Sequence, residues 1–347
     1  MSTAPDGFQH LVPAENIVVT GGAGYIGSHL VDLLAEAGHR VTVIDDLTSG
    51  STANLATRLR RGDIRLVTGS ILDAALLDRE LRGADLVFHL AAAVGVGRIV
   101  DDPLTSLQTN VAGTEQVLEA CARHDCALVL ASSSEVYGKE PAFPMRESGD
   151  RVLGPTTVPR WSYAAAKAVD EHLLFAYAAQ GLSGSAVRYF NSYGPRLDRR
   201  GSASMVAVFL RQALSGEPIT LHGDGRQSRC FTYVSDTVRG TLAAAAPAAR
   251  GRVFNIGSPA EITVAELAEL IVSETGSQSP IVPTPYEAVY GARFEDVRRR
   301  VPDVSLAREV LGWEPEVPLA DGLKKTIAWW TEDGEPGLTA DGGEGHG

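Results

Sequence analysis

Cysteine is scarce in this chain, with three among 347 residues at Cys121, Cys126 and Cys230. An odd number with neither Cys-x-x-Cys nor His spacing argues against a disulfide framework and a zinc site, and fits a reducing compartment. Positive charge is also in short supply, with 31 Lys and Arg against 43 Asp and Glu and a net charge of −12. A nucleic-acid partner is not expected, because phosphate backbones demand clustered cations. The one dense basic run, Arg298-Arg299-Arg300, is flanked by Glu295, Asp296 and Asp303 and suits one anionic group better than a duplex. No apolar run reaches the length of a membrane span, and the polar start from Met1 to His10 lacks the basic-then-apolar order of an export signal. The expectation is a cytoplasmic protein with no membrane partner. No metal is expected either, since no ligand set converges in the sequence.

With 44% hydrophobic and 21% charged residues, the chain can fill one large domain and a smaller lobe. Residues 17–20 form a β-branched run that ends in Gly21-Gly22-Ala23-Gly24-Tyr25-Ile26-Gly27 and then an amphipathic stretch, which reads strand, glycine turn, helix. Further apolar runs at 41–44, 64–67, 86–90 and 127–130 alternate with helix-like segments such as 111–123. Repeated β-α-β units predict an α/β fold with a doubly wound parallel sheet of the Rossmann type. After Pro195 the texture changes, with helix-like stretches at 205–214 and 263–273 and a turn at Gly223-Asp224-Gly225. The predicted division is a flexible start over 1–14, a dinucleotide-binding domain over 15–195 with 232–257 returning to it, and a smaller, partly interleaved C-terminal substrate lobe over 196–231 and 258–330. The stretch 331–347, rich in Gly, Glu and Asp, reads as a disordered tail.

Gly21, Gly24 and Gly27 stand where missing side chains let a backbone approach a pyrophosphate at a helix N-terminus. Asp45, about 20 residues on at the end of the second strand, can accept from a ribose diol and would repel a 2′-phosphate, which favours NAD over NADP. Asp46 beside it is the alternative. Tyr163 and Lys167, four residues apart, share a helix face, and a nearby ammonium favours phenolate, so the pair can take a proton from a sugar hydroxyl. Upstream, Ser132-Ser133-Ser134-Glu135 places hydroxyls and a carboxylate at the end of the 127–131 strand, where open α/β sheets bind ligands.

The ordered set of Gly21 to Gly27, Leu90-Ala91-Ala92-Ala93, Asn110, the Ser133 region, Tyr163 with Lys167, and Arg188-Tyr189-Phe190-Asn191-Ser192-Tyr193-Gly194-Pro195-Arg196 resembles extended short-chain dehydrogenases of the NAD-dependent epimerase/dehydratase family, over about residues 15 to 330. The resemblance implies a nucleotide-sugar substrate and a homodimer formed through two helices of the large domain. It implies Ser133 as the hydroxyl on the substrate oxygen, Tyr163 as base and Lys167 as its electrostatic partner. Gly21, Gly24, Tyr25, Ile26, Gly27, Asp45, Ile71, Leu90, Ala91, Ala92 and Asn110, with Tyr163 and Lys167, would hold NAD. Many members carry an Asp near the adenine where this chain has Ser70-Ile71. Ser134, Arg160, Asn191, Arg229 and Arg300 would hold the substrate, with Asn191 and Arg229 on the diphosphate.

Members of the family begin by oxidising C4 and diverge afterwards into 4-epimerases, 4,6-dehydratases and decarboxylases. The string Ser134-Glu135-Val136-Tyr137-Gly138, Arg160 before Tyr163, and Arg300-Val301-Pro302 are most similar to UDP-glucuronate decarboxylases, with Glu135 and Arg300 in catalytic positions. Arginines near a uronic acid could pair with its carboxylate. The alternatives are a UDP-glucuronate or UDP-glucose 4-epimerase, then a 4,6-dehydratase, and, outside enzymes, a nucleotide-binding regulatory protein. Trp161, Trp313, Trp329 and Trp330 read as packing residues, and His29, His89 and His222 as structural ones.

Overall fold

The computed structural model describes residue 12 and residues 14–95, 102–199, 204–285 and 297–332. The expected N-terminal stretch up to residue 11 and the tail from residue 333 lie outside the described residues. The apolar runs form strands β1 (Asn16–Thr20), β2 (Arg40–Asp45), β3 (Ile64–Thr68), β4 (Leu86–His89), β5 (Ala127–Ser133) and β6 (Gly184–Tyr189). A seventh strand, Val253–Ile256, pairs with β6. Across the sheet the order is Val253–Ile256, β6, β5, β4, β1, β2, β3, and every pairing is parallel. Between β1 and β4 the winding reverses, and there the loops leaving the C-terminal strand ends part to form a crevice.

Side chains alternate across the pleat. Ile17, Val19, Val41, Val43, Phe88, Val129 and Val187 fill the core on one face, while Val18, Ile44, Val87, Leu128, Leu130 and Ala186 fill the other. Burial on both faces explains why these strands read as unbroken apolar runs. The helix expected over 111–123 is Gly113–His124, and it is entered through a π turn over Gln108–Ala112 that carries Asn110. The last helix, Leu319–Glu332, runs through residues 331 and 332, where Thr331 Oγ1 donates back to Ile327 O at 3.1 Å. Among the described residues no helix is long and apolar enough to cross a membrane.

The smaller lobe holds the helix Met205–Leu214, the parallel pair Ile219–His222 and Ile281–Thr284, and the helix Val264–Thr275. Thr263 and Glu266 cap that helix reciprocally. A three-stranded group of Glu261–Thr263, Ser228–Cys230 and Arg299–Arg300 sets Arg229 opposite Arg300. Residues 301–303 then hook onto Met145, which donates to Val301 O and accepts from Asp303 N, both at 2.8 Å, and this brings Arg300 to the end of β5.

Asp236, 1% exposed in the helix Val234–Ala243, stitches the C-terminal segment to the sheet layer. Its Oδ2 accepts from Glu316 N at 3.0 Å and Val317 N at 2.9 Å, and its Oδ1 accepts from Arg239 at 2.7 Å. Asp236→Ala orphans these donors together and should lower the unfolding free energy in urea by about 3 kcal/mol.

Candidate active site

Where β1 ends, the chain turns through Gly21 at φ 71° into the helix Tyr25–Glu36. A Cβ on Gly21 would stand 2.6 Å from Ala91 N, and one on Gly27 would stand 2.2 Å from Gly21 O, so both positions require glycine to close the turn against the exit of β4. Gly24 lines a cavity of about 1050 Å³ that runs along the C-terminal edge of the sheet. The first N–H groups of a helix lack intrahelical acceptors and carry partial positive charge, which suits a pyrophosphate. Asp45, 6% exposed, closes β2 and accepts from Ala23 N at 2.9 Å and Leu47 N at 2.8 Å. Burial pushes its carboxyl above the usual range, with those two amides opposing. Asp46 also lines the cavity, as do Tyr25, Ile26, Ile71, Leu90, Ala91 and Ala92. A glycine cradle, a helix N-terminus and a carboxylate at the next strand end together fit a dinucleotide with a free ribose diol.

Asn110 sits apart from the cavity lining. It is 1% exposed, its Oδ1 accepts from Ala93 N at 2.8 Å, and its Nδ2 donates to Ala93 O at 3.1 Å. The amide thus clamps the loop that lines the cavity, with both its polar atoms spent on Ala93.

The helix Arg160–Ala178 brings Tyr163 and Lys167 to the cavity beside Ser133. Ser133 hydrogen-bonds the phenol, and its Oγ also accepts from Glu135 N at 3.2 Å. The phenolate-favouring effect expected of Lys167 is present but outweighed: burial pushes the Tyr163 phenol up, and Lys167 offsets only part of this. Lys167, 2% exposed, donates to Asp170 Oδ2 at 3.0 Å. Although burial favours the free amine, Asp170 and Tyr163 together hold Lys167 above the ordinary amine range. Beneath lies His89, bonded to Thr20 Oγ1 at 2.7 Å and Thr114 Oγ1 at 3.1 Å and pushed down to about 3 by burial and by Lys167, hence neutral. Asp170 went unnoticed in the sequence. The signal was there, because three residues after Lys167 puts it on the same buried helix face.

Glu135 accepts from Arg300 Nη1 at 2.7 Å, and Arg160 stands 3.8 Å from its other oxygen. Burial alone would raise this carboxyl, yet Arg300, Arg160 and Arg229 outweigh it and hold it at about 2. Arg300 is 3% exposed, lines the cavity, and its Nε and Nη2 make no hydrogen bond among the described residues. Arg160 does not line the cavity; it backs Glu135 and stacks 5.4 Å from the Trp161 ring centroid. The run Arg298-Arg299-Arg300 does not act as a unit, since Arg299 turns outward to grip Glu261 at 2.8 and 2.9 Å. Ser134, Asn191 and Arg229 line the cavity. Asn191 holds φ 37° and donates to Cys230 O at 2.9 Å, and Arg229 donates to Ser228 O at 2.8 Å. His29 bonds Pro195 O at 2.9 Å, and Trp313 donates to Asp236 O at 3.0 Å. Among the described residues no group of three or more His, Cys, Asp or Glu side chains could hold a metal ion.

The model of the NAD dependent epimerase/dehydratase family matches residues 17–257, and the chain belongs to that family. Its relatives include the UDP-N-acetyl-alpha-D-glucosaminuronate decarboxylase of Bacillus cytotoxicus, 41% identical over 91% of this chain and 97% of that protein. The UDP-glucose 4-epimerase of Mycolicibacterium smegmatis is 38% identical over 90% of this chain and 97% of that protein. The structure of MoeE5 with UDP-glucuronic acid and NAD superposes with a TM-score of 0.78 at 34% identity, covering 92% of this chain and 99% of that one. The protein is an NAD-dependent enzyme with a Rossmann-type sheet.

The low pKa of Glu135 links the site to stability. A carboxyl lowered from 4.5 to about 2 adds stability that is complete above about pH 4.5 and lost as pH falls through about 2. Glu135→Gln should therefore be less stable than the parent by about 3 kcal/mol near neutrality, and that gap should narrow steadily below about pH 4.5 in urea unfolding.

Proposed function

We propose that the protein removes the C6 carboxylate of a UDP-linked uronic acid and releases a UDP-pentose. The observation that carries this reading is Arg300: buried, lining the cavity, with Nη1 on Glu135 and with Nε and Nη2 making no hydrogen bond among the described residues. Those two N–H groups form the guanidinium edge that matches a carboxylate bidentately. Leaving buried donors unpaired costs about 1–3 kcal/mol each, a penalty that a bound uronate relieves.

Bound NAD supplies the acceptor for the C4 hydride and returns that hydride at the end of the cycle. Tyr163, as the phenolate that the Lys167 ammonium stabilises, takes the proton of the C4 hydroxyl and becomes a phenol. Ser133 donates to O4. Oxidation leaves the C6 carboxylate β to a ketone, so the C5–C6 bond can break with its electrons passing to O4 and carbon dioxide departing. Ser133 and the Tyr163 phenol stabilise that enolate, C5 then takes a proton from solvent, and Tyr163 gives its proton back to O4 as C4 is reduced. Glu135 keeps Arg300 aimed at the carboxylate, and Asn191 and Arg229 serve the diphosphate. The uridine base and the choice between a plain and an N-acetylated uronate rest on the names of the relatives. The scarce cysteines and the family resemblance support a cytoplasmic homodimer, with Leu104, Leu107 and Val169, all at least 36% exposed, as apolar surface for the contact.

The test is to incubate the protein separately with UDP-glucuronate, UDP-N-acetylglucosaminuronate and UDP-glucose and to follow product mass and sugar stereochemistry by NMR. Loss of carbon dioxide from a uronate is expected, and Tyr163→Phe should lower turnover by about 10³-fold or more. An unchanged mass with inverted C4 would instead favour the second reading, a 4-epimerase, which the mycobacterial relative supports.

A further inference from the structure

Lys167 lies among several charged groups, and their partners decide which of them it feels. On its own helix, Glu171 is already engaged: Arg188 from β6 grips both its oxygens at 2.9 and 2.7 Å, and Ser132 donates to it at 2.5 Å. From β4, His89 is neutral between its two threonines. At the end of β5, Glu135 belongs to the arginines and acts on Tyr163 from the cavity side. What remains is Asp170. It is 0% exposed, bonds Lys167 Nζ at 3.0 Å, and is approached from the neighbouring helix by the Thr114 hydroxyl. Its Oδ1 makes no hydrogen bond among the described residues, so Lys167 is its principal partner.

We propose that Asp170 is a positioning residue that holds the Lys167 ammonium in place from behind and sets the working pH of the Tyr163–Lys167 pair. The inference rests on the reading of that pair as the proton-transfer couple, and holds whichever reaction follows C4 oxidation. A buried anion 3.0 Å from the ammonium shares its charge. Less of that charge reaches the phenol, and the lysine keeps its proton to higher pH. Removing the anion should therefore shift both groups in the same sense, to lower pH. In the parent, the ion pair keeps Lys167 a cation in a site that would otherwise favour the free amine.

The experiment compares Asp170→Asn, Asp170→Glu and the parent by the pH profile of kcat with whichever UDP-sugar is turned over. In Asp170→Asn both limbs of the bell should move down by about one pH unit, with kcat reduced about tenfold or more and KM nearly unchanged. Asp170→Glu should restore most of the profile. A second readout needs no substrate: the ultraviolet titration of the Tyr163 phenol, taken as the difference from Tyr163→Phe in each background, should move down likewise. A failure of the decarboxylase reading would leave this titration untouched, so the two ideas fall separately. An unshifted profile and titration in a folded Asp170→Asn protein that is merely less stable would overturn the proposal. If that variant does not fold, Thr114→Val, which strips a neutral hydroxyl from the same carboxylate, becomes the deciding case. With one donor fewer, the Asp170 anion leans harder on Lys167, so a small shift in the opposite sense, to higher pH, supports the proposal, and no shift overturns it.

Discussion

One carboxylate held among three guanidinium groups ties the two parts of this protein together. Glu135 stands at the end of β5, on the sheet, whereas Arg300 and Arg229 come from paired strands of the smaller lobe and Arg160 opens the helix that carries Tyr163 and Lys167. Two arginines facing each other across a strand pair would repel, and Glu135 offsets that repulsion where the lobe meets the sheet edge. Breaking such a buried cluster costs more than a surface ion pair contributes, because the partners are left desolvated. The same cluster leaves Nε and Nη2 of Arg300, a residue that lines the cavity, buried with no hydrogen bond among the described residues. On the proposed reading, assembly and substrate choice are two consequences of one arrangement.

Tyr163 and Lys167, the pair proposed for proton transfer, show a similar economy of charge. Burial works against ionising Tyr163 and against protonating Lys167, and each group needs help from its neighbours to function. The helix supplies that help by spacing: Tyr163, Lys167, Asp170 and Glu171 recur on one face, and Arg188 from β6 holds Glu171 so that it does not compete. His89, with its two threonines, fills the space beneath without adding charge.

Much of this was legible in the amino-acid order, because it depends on local patterns. The glycines of the first turn, the strand-like runs and the Tyr163–Lys167 spacing each follow from backbone sterics or helix geometry within a few residues. What the sequence hid depends on long-range register. The role of Asn110 as a clamp on Ala93, the separation of Arg299 from Arg300, and the retreat of Arg160 behind Glu135 are set by contacts between distant segments. The net rise in the Tyr163 pKa was hidden for another reason, since spacing reveals a neighbouring charge but not the degree of burial.

The central claim is that the unpaired Nε–Nη2 edge of Arg300 reads a carboxylate. It is tested most directly by calorimetric titration of UDP-glucuronate and UDP-glucose into the Tyr163→Phe protein, which binds without turning over, with and without Arg300→Gln. The account predicts that the uronate binds at least about tenfold tighter and that this preference disappears in Arg300→Gln. Equal affinities for the two sugars, or a preference that survives the loss of Arg300, would contradict it.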